Sequence, residues 1–399
     1  MYQSVKARIY PTDAQAEQLS QFFGCARWRW NRALNETTTT YAETGKGLSR
    51  VGLNALLPAL KKEFPWLSEC HSQVLQSVTL NLTKAFINFF EKRAKYPNFK
   101  SKHGKQSIQY PQGTKFVDHL IYLPKLGWVK INLHRPLDGE VKTVTISKNP
   151  SGQYFAAILT SLEGEYPIPN REGLAIGVDL GITDFAITST GSKYRNPRHI
   201  KKHESNLKRK QRKLSRKVKG SNSRNKARKL VARVHQRISN SRQDFLHKLS
   251  HKMVNENQVI VVEALTIKNL LKNHRLAKAI SDCGWSSFVG MLNYKCERSG
   301  KILVKVDRFF PSSKTCSNCY QRVSSLPLDV RQWTCSNCGT NHDRDVNAAR
   351  NLKAEGLRIL SLGTSETADG GNVRPSRGRK TSVRRSPSKS EAPSSNMSV

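Results

Sequence analysis

Eight residues of this chain have the types and spacing to do chemistry: four cysteines and four acids. Cys316 and Cys319, fifteen intervening residues, then Cys335 and Cys338 make two CSNC knuckles. Four thiolates delivered by two tight turns suit tetrahedral zinc, and the intervening length falls at the edge of the zinc-ribbon range. A four-sulfur site has no open position, so a zinc held there is structural. His342, just past the last knuckle, reads as a surface residue rather than a ligand. Cys25, Cys70, Cys283 and Cys296 have no such spacing and read as small packing residues.

The acids raise a different question. Asp179 ends the apolar run in "LAIGVDLG", and Glu263 interrupts "VIVVEAL" in the same way. Asp343 and Asp345 stand in "HDRDVNAARNL", where a helix over 345–360 is expected to start. An ionised carboxylate beside a buried strand is costly unless something positive meets it. Singly, each acid reads as well as a structural strand-end acceptor or helix cap as it does as a metal ligand. Together, two acids on separate strands of one sheet and one at a helix start could converge on one edge. That is the ligand set two-metal phosphodiester cleavage requires, with ions ~3.5–4 Å apart. Oxygen donors with open positions suit magnesium or manganese.

The elements that must position these groups follow from pattern. "SVKARIY" alternates as a strand, and Thr12 with Gln15 matches a capping box before a helix carrying Leu19, Phe22, Phe23, Ala26 and Trp30 at helical spacing. A second helical block covers about 51–95; from about 107 to 163 the period becomes two, with a turn at Asn149–Gly152. "LAIGVDL" and "DFAITST" form a hairpin around Gly181, while "QVIVVEAL" and "KILVKVD" read as further strands. Between them, residues 201–242 hold 17 Lys or Arg and one acid, with a sparse apolar stripe either side of Gly220–Ser221. This reads as two long basic helices joined by a turn. After residue 363 the chain is Ser-, Arg-, Pro- and Gly-rich without periodicity, which predicts a disordered basic tail.

Composition names the partner class. The 399 residues carry 68 Lys plus Arg against 29 Asp plus Glu, a formal charge of +39. A surplus of that size calls for polyanion, and with no apolar run near the ~20 residues of a spanning helix, nucleic acid is preferred to membrane. The N-terminus lacks an apolar signal core, so a cytoplasmic protein with reduced cysteines is expected. Phosphate binding by Lys208, Arg209, Lys210, Arg212, Lys213, Arg216 and Lys217 specifies no sequence by itself. Interleaved aromatics such as those in "CARWRWNRAL" and "KFVDHLIY" could stack on bases, with Trp30 assigned to the core and Trp28 open to either role.

The order of motifs, "GVDLGITDFA", "RQDFLHKLS", "VIVVEAL" and "FFPSSKTCSNC…WTCSNCGTNHDRDVNAARN", resembles the transposon-encoded TnpB (OrfB) family, relatives of type V CRISPR effectors. "YPTDAQAEQL", "WNRALNE" and "KLGWVKI" extend the resemblance to nearly the whole chain. It implies an RNA-guided DNA endonuclease of α/β and α+β multidomain architecture. Residues 1–170 would be a β-barrel wedge domain with an inserted helical recognition domain over about 12–105. A RuvC-like nuclease domain of RNase H fold would occupy 171–310 and 342–362, with the zinc ribbon at 311–341 and the tail at 363–399. Asp179, Glu263 and Asp345 match the family's catalytic acids, with Asp343 a lesser alternative to the last. A guide RNA from the transposon end would pair with one strand of double-stranded DNA while the protein reads a short flanking motif; Gln73 and Gln76 are candidate contacts. No small-molecule substrate is implied. The rival reading is an RNA-guided DNA-binding repressor or transposition accessory protein without cleavage.

Overall fold

The structure, a computed structural model, describes residues 1–327 and 329–362; the basic tail expected over 363–399 lies outside them. Residues Met1–Gly356 form one compact unit. Strand β1 (Tyr2–Tyr10) buries Val5, Ala7 and Ile9 and turns Lys6 outward, as its alternation requires. Helix α1 (Asp13–Thr44) begins at the predicted capping box: the Thr12 hydroxyl accepts from the Gln15 amide at 3.3 Å, and the Gln15 side chain accepts from the Thr12 amide at 3.1 Å. The second helical block is broken rather than continuous. It comprises α2 (Arg50–Ala55), α3 (Leu57–Glu63), a 3-10 turn at Pro65–Ser68 and α4 (Ser72–Phe90). Pro58 and Pro65 each open a new segment because proline fits the first helical turn and not its interior.

Strands β2 (Gln106–Tyr110), β3 (Lys115–Val117), β4 (Leu120–Leu123), β5 (Gly127–Asn132), β6 (Glu140–Lys148) and β7 (Tyr154–Ser161) join β1 in an antiparallel sheet of order β2-β6-β7-β1-β5-β4-β3. The expected turn at Asn149–Gly152 joins β6 to β7, with the Gly152 amide donating to the Asn149 carbonyl at 3.0 Å. The hydrogen-bonded sheet ends at β2 and β3. Its inner face packs on α1 to α4 through one core that includes Ile9, Phe22, Leu75, Ile131 and Ile158.

The second sheet begins with β8 (Ala175–Asp179), β9 (Asp184–Thr188) and β10 (Lys193–Arg195), the first two closing the predicted hairpin at Gly181. Two basic helices follow, α5 (His199–Ser215) and α6 (Asn222–Glu256), then β11 (Val259–Glu263). Helices α7 (Ile267–Leu270), α8 (Ala277–Cys283) and α9 (Trp285–Arg298) lead to β12 (Ile302–Val306). The sheet order is β10-β9-β8-β11-β12, with β8, β11 and β12 parallel. A two-stranded ribbon of β13 (Gln332–Thr334) and β14 (Asn341–Asp343) precedes α10 (Arg344–Ser361).

Residue parity sorts the faces of this sheet. Ile176 and Val178 on β8 and Ile260 and Val262 on β11 pack with Leu246, Phe288 and Leu292 of α6 and α9. Gly177 and Val261 alternate with them and so face the other way, toward α10. There the helix comes very close. A Cβ at Gly177 would overlap the Ala349 carbonyl oxygen and lie 2.7 Å from the Lys353 amide, and one at Gly356 would collide with the Val261 side chain. Gly177→Val is therefore expected to cost about 3 kcal/mol or more, read as a lower urea midpoint, because backbone cannot yield as a side chain can. Gly290→Ala, where a Cβ on α9 meets nothing within 4 Å, should leave the midpoint unchanged or raise it.

Candidate functional site

The same parity that puts Gly177 and Val261 under α10 puts Asp179 and Glu263 there too. β8 and β11 run parallel in register, Val178 against Val262, so the next residues on each strand, Asp179 and Glu263, end neighbouring strands on one face. Asp345 arrives from the helix. It lies one turn before Ala349, about 6 Å along α10, while Asp179 lies two residues beyond Gly177, about 6.6 Å along β8. The contact at Gly177 thereby brings Asp345 level with Asp179. The electrostatics agree: burial pushes the Asp179 carboxyl up to about 7, and the charges of Asp345 and Glu263 push the same way. Burial, with the charge of Asp307 beyond β12, also raises Glu263.

Asp343 does different work. Its Oδ1 accepts from the amides of Asp345 (3.1 Å) and Val346 (3.0 Å), capping α10, and its Oδ2 pairs with Lys193 at 2.6 Å. Burial raises its pKa, but Lys193 and those amides outweigh it and hold the carboxyl below the usual range. The Asp345 carboxylate is met at 3.3 Å by the Arg331 guanidinium.

The cysteines meet as expected. Their four sulfurs lie within 4.8 Å of one another, and no other such group of His, Cys, Asp or Glu occurs among the described residues. Cys316 and Cys338, and Cys319 and Cys335, stand 3.6 Å apart sulfur to sulfur. A tetrahedron with Zn–S bonds of about 2.3 Å has edges of about 3.8 Å, so the set fits zinc. The knuckles are built alike: the amides of Tyr320 and Gly339 donate back to the carbonyls of Cys316 and Cys335, both at 2.9 Å. Each of those closing residues is left-handed, at φ 61° and 68°. Glycine takes that conformation freely; Tyr320 does so at a cost.

His342 corrects the surface reading. It is 3% exposed, its ring lies 4.7 Å from Trp333, and its Nε2 stands 3.0 Å from the Cys316 sulfur. Two further residues were given no structural role in the sequence reading. Asn347 Oδ1 accepts from the Ser317 amide at 2.9 Å while its Nδ2 donates to the Thr315 carbonyl at 2.7 Å. Asn351 Nδ2 donates to the carbonyls of Ser312 and Thr315 at 2.7 and 2.6 Å. Their signal was present, two asparagines four apart on a helix just after the last knuckle. Through them the ribbon grips the helix that carries Asp345.

The basic residues fall on α5 and its end, where Lys208, Arg209, Arg212, Lys213, Arg216 and Lys217 are exposed and Lys210 is half-buried. Glu204, the one acid, ties Lys208 (2.9 Å) and Lys278 (2.8 Å), and its carboxyl falls to about 2 through those two hydrogen bonds. Asp282 accepts from the Ile200 amide at 2.8 Å and pairs with Arg242 at 2.9 Å, fixing where α5 leaves the sheet. Gln76 on α4 is exposed and Gln73 half-buried. Trp30 is in the core, donating from Nε1 to the Asn98 carbonyl at 3.0 Å, and Trp28 packs edge-on to Phe64 and Trp66.

Family models match three stretches of the chain. The family model described as "Probable transposase" of the OrfB_IS605 type matches residues 158–274, and the "Cas12f1-like, TNB domain" model matches 285–352. A "Helix-turn-helix domain" model of the same OrfB type matches residues 1–46, which here fold as a strand and one long helix. A Streptomyces pristinaespiralis protein named "Putative RNA-guided DNA endonuclease" is 44% identical over 97% of this chain and 96% of its own. The InsQ protein of Escherichia coli (strain K12), named in the same way, is 31% identical over 90% of this chain and 94% of its own. Among solved structures, Cas12f1 in a complex with single-guide RNA and target DNA shares the fold, with a TM-score of 0.51 and 12% identity over 88% of this chain and 98% of that one. No helix among the described residues is long and apolar enough to cross a membrane. With a relative this similar over almost its whole length, the chain belongs to the transposon-encoded TnpB (OrfB) family.

Proposed function

We propose that the chain is an RNA-guided DNA endonuclease whose phosphodiester hydrolysis uses divalent cations held by Asp179, Glu263 and Asp345. What supports this is that Asp179 and Glu263 end neighbouring parallel strands on one sheet face, and that the charges of Glu263 and of Asp345, on the helix packed against that face, both bear on Asp179. Oxygen-only donors suit magnesium or manganese, and positive charge offsets their mutual repulsion. A bound pair of such ions supplies an activated water and a stabilised leaving oxygen. The protein's part is positional. Lys193 and the helix amides occupy Asp343 and leave Asp345 for the site, and Arg331 holds the Asp345 side chain in place. Presence of all three acids favours cleavage over a binding-only relative.

In this reading residues 1–170 are the wedge and recognition part, 171–310 and 342–362 the RuvC-like part, and 311–341 the ribbon with one structural zinc. A guide RNA from the transposon end pairs with one strand of double-stranded DNA, Lys208 to Lys217 bind phosphates, and Gln73 and Gln76 contact the DNA flank. The protein works in the cytoplasm on nucleoid DNA. Base pairing with the guide supplies sequence, which is why a chain this basic needs no base-reading helix of its own.

Asp179→Ala, Glu263→Ala and Asp345→Ala should each cut guided cleavage to below about one thousandth while guided DNA binding survives. Asp343→Ala should keep measurable cleavage; parallel gel assays of cutting and of binding separate the two behaviours. Purified protein should contain one zinc per chain by elemental analysis. Cys316→Ser should lose it and raise hydrogen exchange across the first turns of α10, because the ribbon then loosens its grip through Asn347 and Asn351. Replacing Lys213 and Lys217 by Gln should lower the slope of log affinity against log salt by about 0.7–0.9 for each phosphate no longer neutralised, measured by filter binding.

A further inference from the structure

A concavity lies on the α6 face of the nuclease sheet, opposite the face that carries the acids. It has a volume of about 520 Å³ and opens between β10, the start of α5 and one stripe of α6. Its floor is apolar, with the rings of Tyr194 and Phe245 and the Leu249 side chain. Phe245 is held edge-on to the fully buried Phe185, centroids 5.1 Å apart, so that part of the floor is fixed by the core. The rim is cationic. Lys202, Lys248 and Lys252 line it against a single acid, Asp244, which is already paired with Lys248 at 2.9 Å. Lys252 stands 5.5 Å from the Tyr194 ring centroid. His199 on the same rim buries an Nε2 that has no hydrogen-bond partner.

We propose that this concavity takes one nucleotide of a single-stranded segment, its base laid against Tyr194 and Phe245 and its phosphates on Lys202 and Lys252. A cavity of a few hundred Å³ with an apolar floor and a few convergent polar groups is the form a small planar ligand requires. Aromatic rings with a lysine rim recognise a nucleotide by stacking and charge, without reading which base it is. A duplex cannot use the site, because its bases are paired and stacked away from the rings. The chemistry is the same for an RNA or a DNA strand. The inference rests on the chain handling nucleic acid and is independent of whether it cuts.

Photocrosslinking of the full chain tests it, with a 5-iodouridine RNA 12-mer in one arm and the matching 5-iododeoxyuridine DNA in the other, adducts being mapped by mass spectrometry. Adducts on Tyr194 or Phe245 are expected in at least one arm, which then names the strand. In that arm Tyr194→Leu should lower the adduct yield about tenfold, the loss of one stacked base. An annealed duplex of the same sequence should give no adduct there. Adducts confined to other residues would overturn the pocket while leaving nucleic-acid binding in place. No adduct in either arm would overturn both.

Discussion

The close approach of α10 to the sheet at Gly177 and Gly356 is the constraint on which the rest depends. Side chains at either position would hold the helix off, and Asp345 would no longer come level with Asp179. What closeness gathers is electrostatically unfavourable. Two charged carboxylates on strands about 4.8 Å apart repel by about 3 kcal/mol at an effective dielectric of 20. The opposite face of the same strands offsets this, since Ile176, Val178, Ile260 and Val262 are all buried against α6 and α9. One sheet thus divides its labour by parity, stability on one face and the acids on the other.

The ribbon acts on that arrangement from a distance in sequence. Asn347 and Asn351 spend their polar groups on backbone from Ser312 to Ser317, and Asp343 caps the helix while Lys193 holds it. The orientation of Asp345 is therefore set from three sides: sheet, ribbon and its own helix cap. His342, packed on Trp333 beside Cys316, fills the space between the sulfur cluster and the start of α10. On the proposed reading, a closed zinc site at the sulfur cluster in this way helps to set the acid that acts on DNA.

Much of this was legible in local pattern. The Thr12–Gln15 box, the alternation of β1, the hairpin at Gly181 and the turn between β6 and β7 depend on residues within a few positions of each other, and all were found where the sequence put them. The acids were legible as interruptions of apolar runs. What was not legible depends on distant contacts. His342 looks like any polar residue after a turn until β13 pairs with β14 and sets it on Trp333. Helices α8 and α9 lack side-chain caps and are separated by Gly284 alone, so no local signal marks their starts. The seven-stranded sheet gave its strands from alternation, but its order follows from β1 pairing with β7 and β5 across more than a hundred residues.

On the proposed reading, the charge of +39 draws polyanion to the chain and the acids act on it. The account turns on whether the two work together. The most direct test is cleavage by the chain co-expressed with RNA from its own transposon end, on a plasmid library carrying the guide-matched target beside randomised flanking bases, with magnesium or with chelator. Magnesium-dependent double-strand breaks beside one flanking motif are the predicted result. Tight guide-dependent binding with no break in magnesium would contradict it and return Asp179, Glu263 and Asp345 to a structural role.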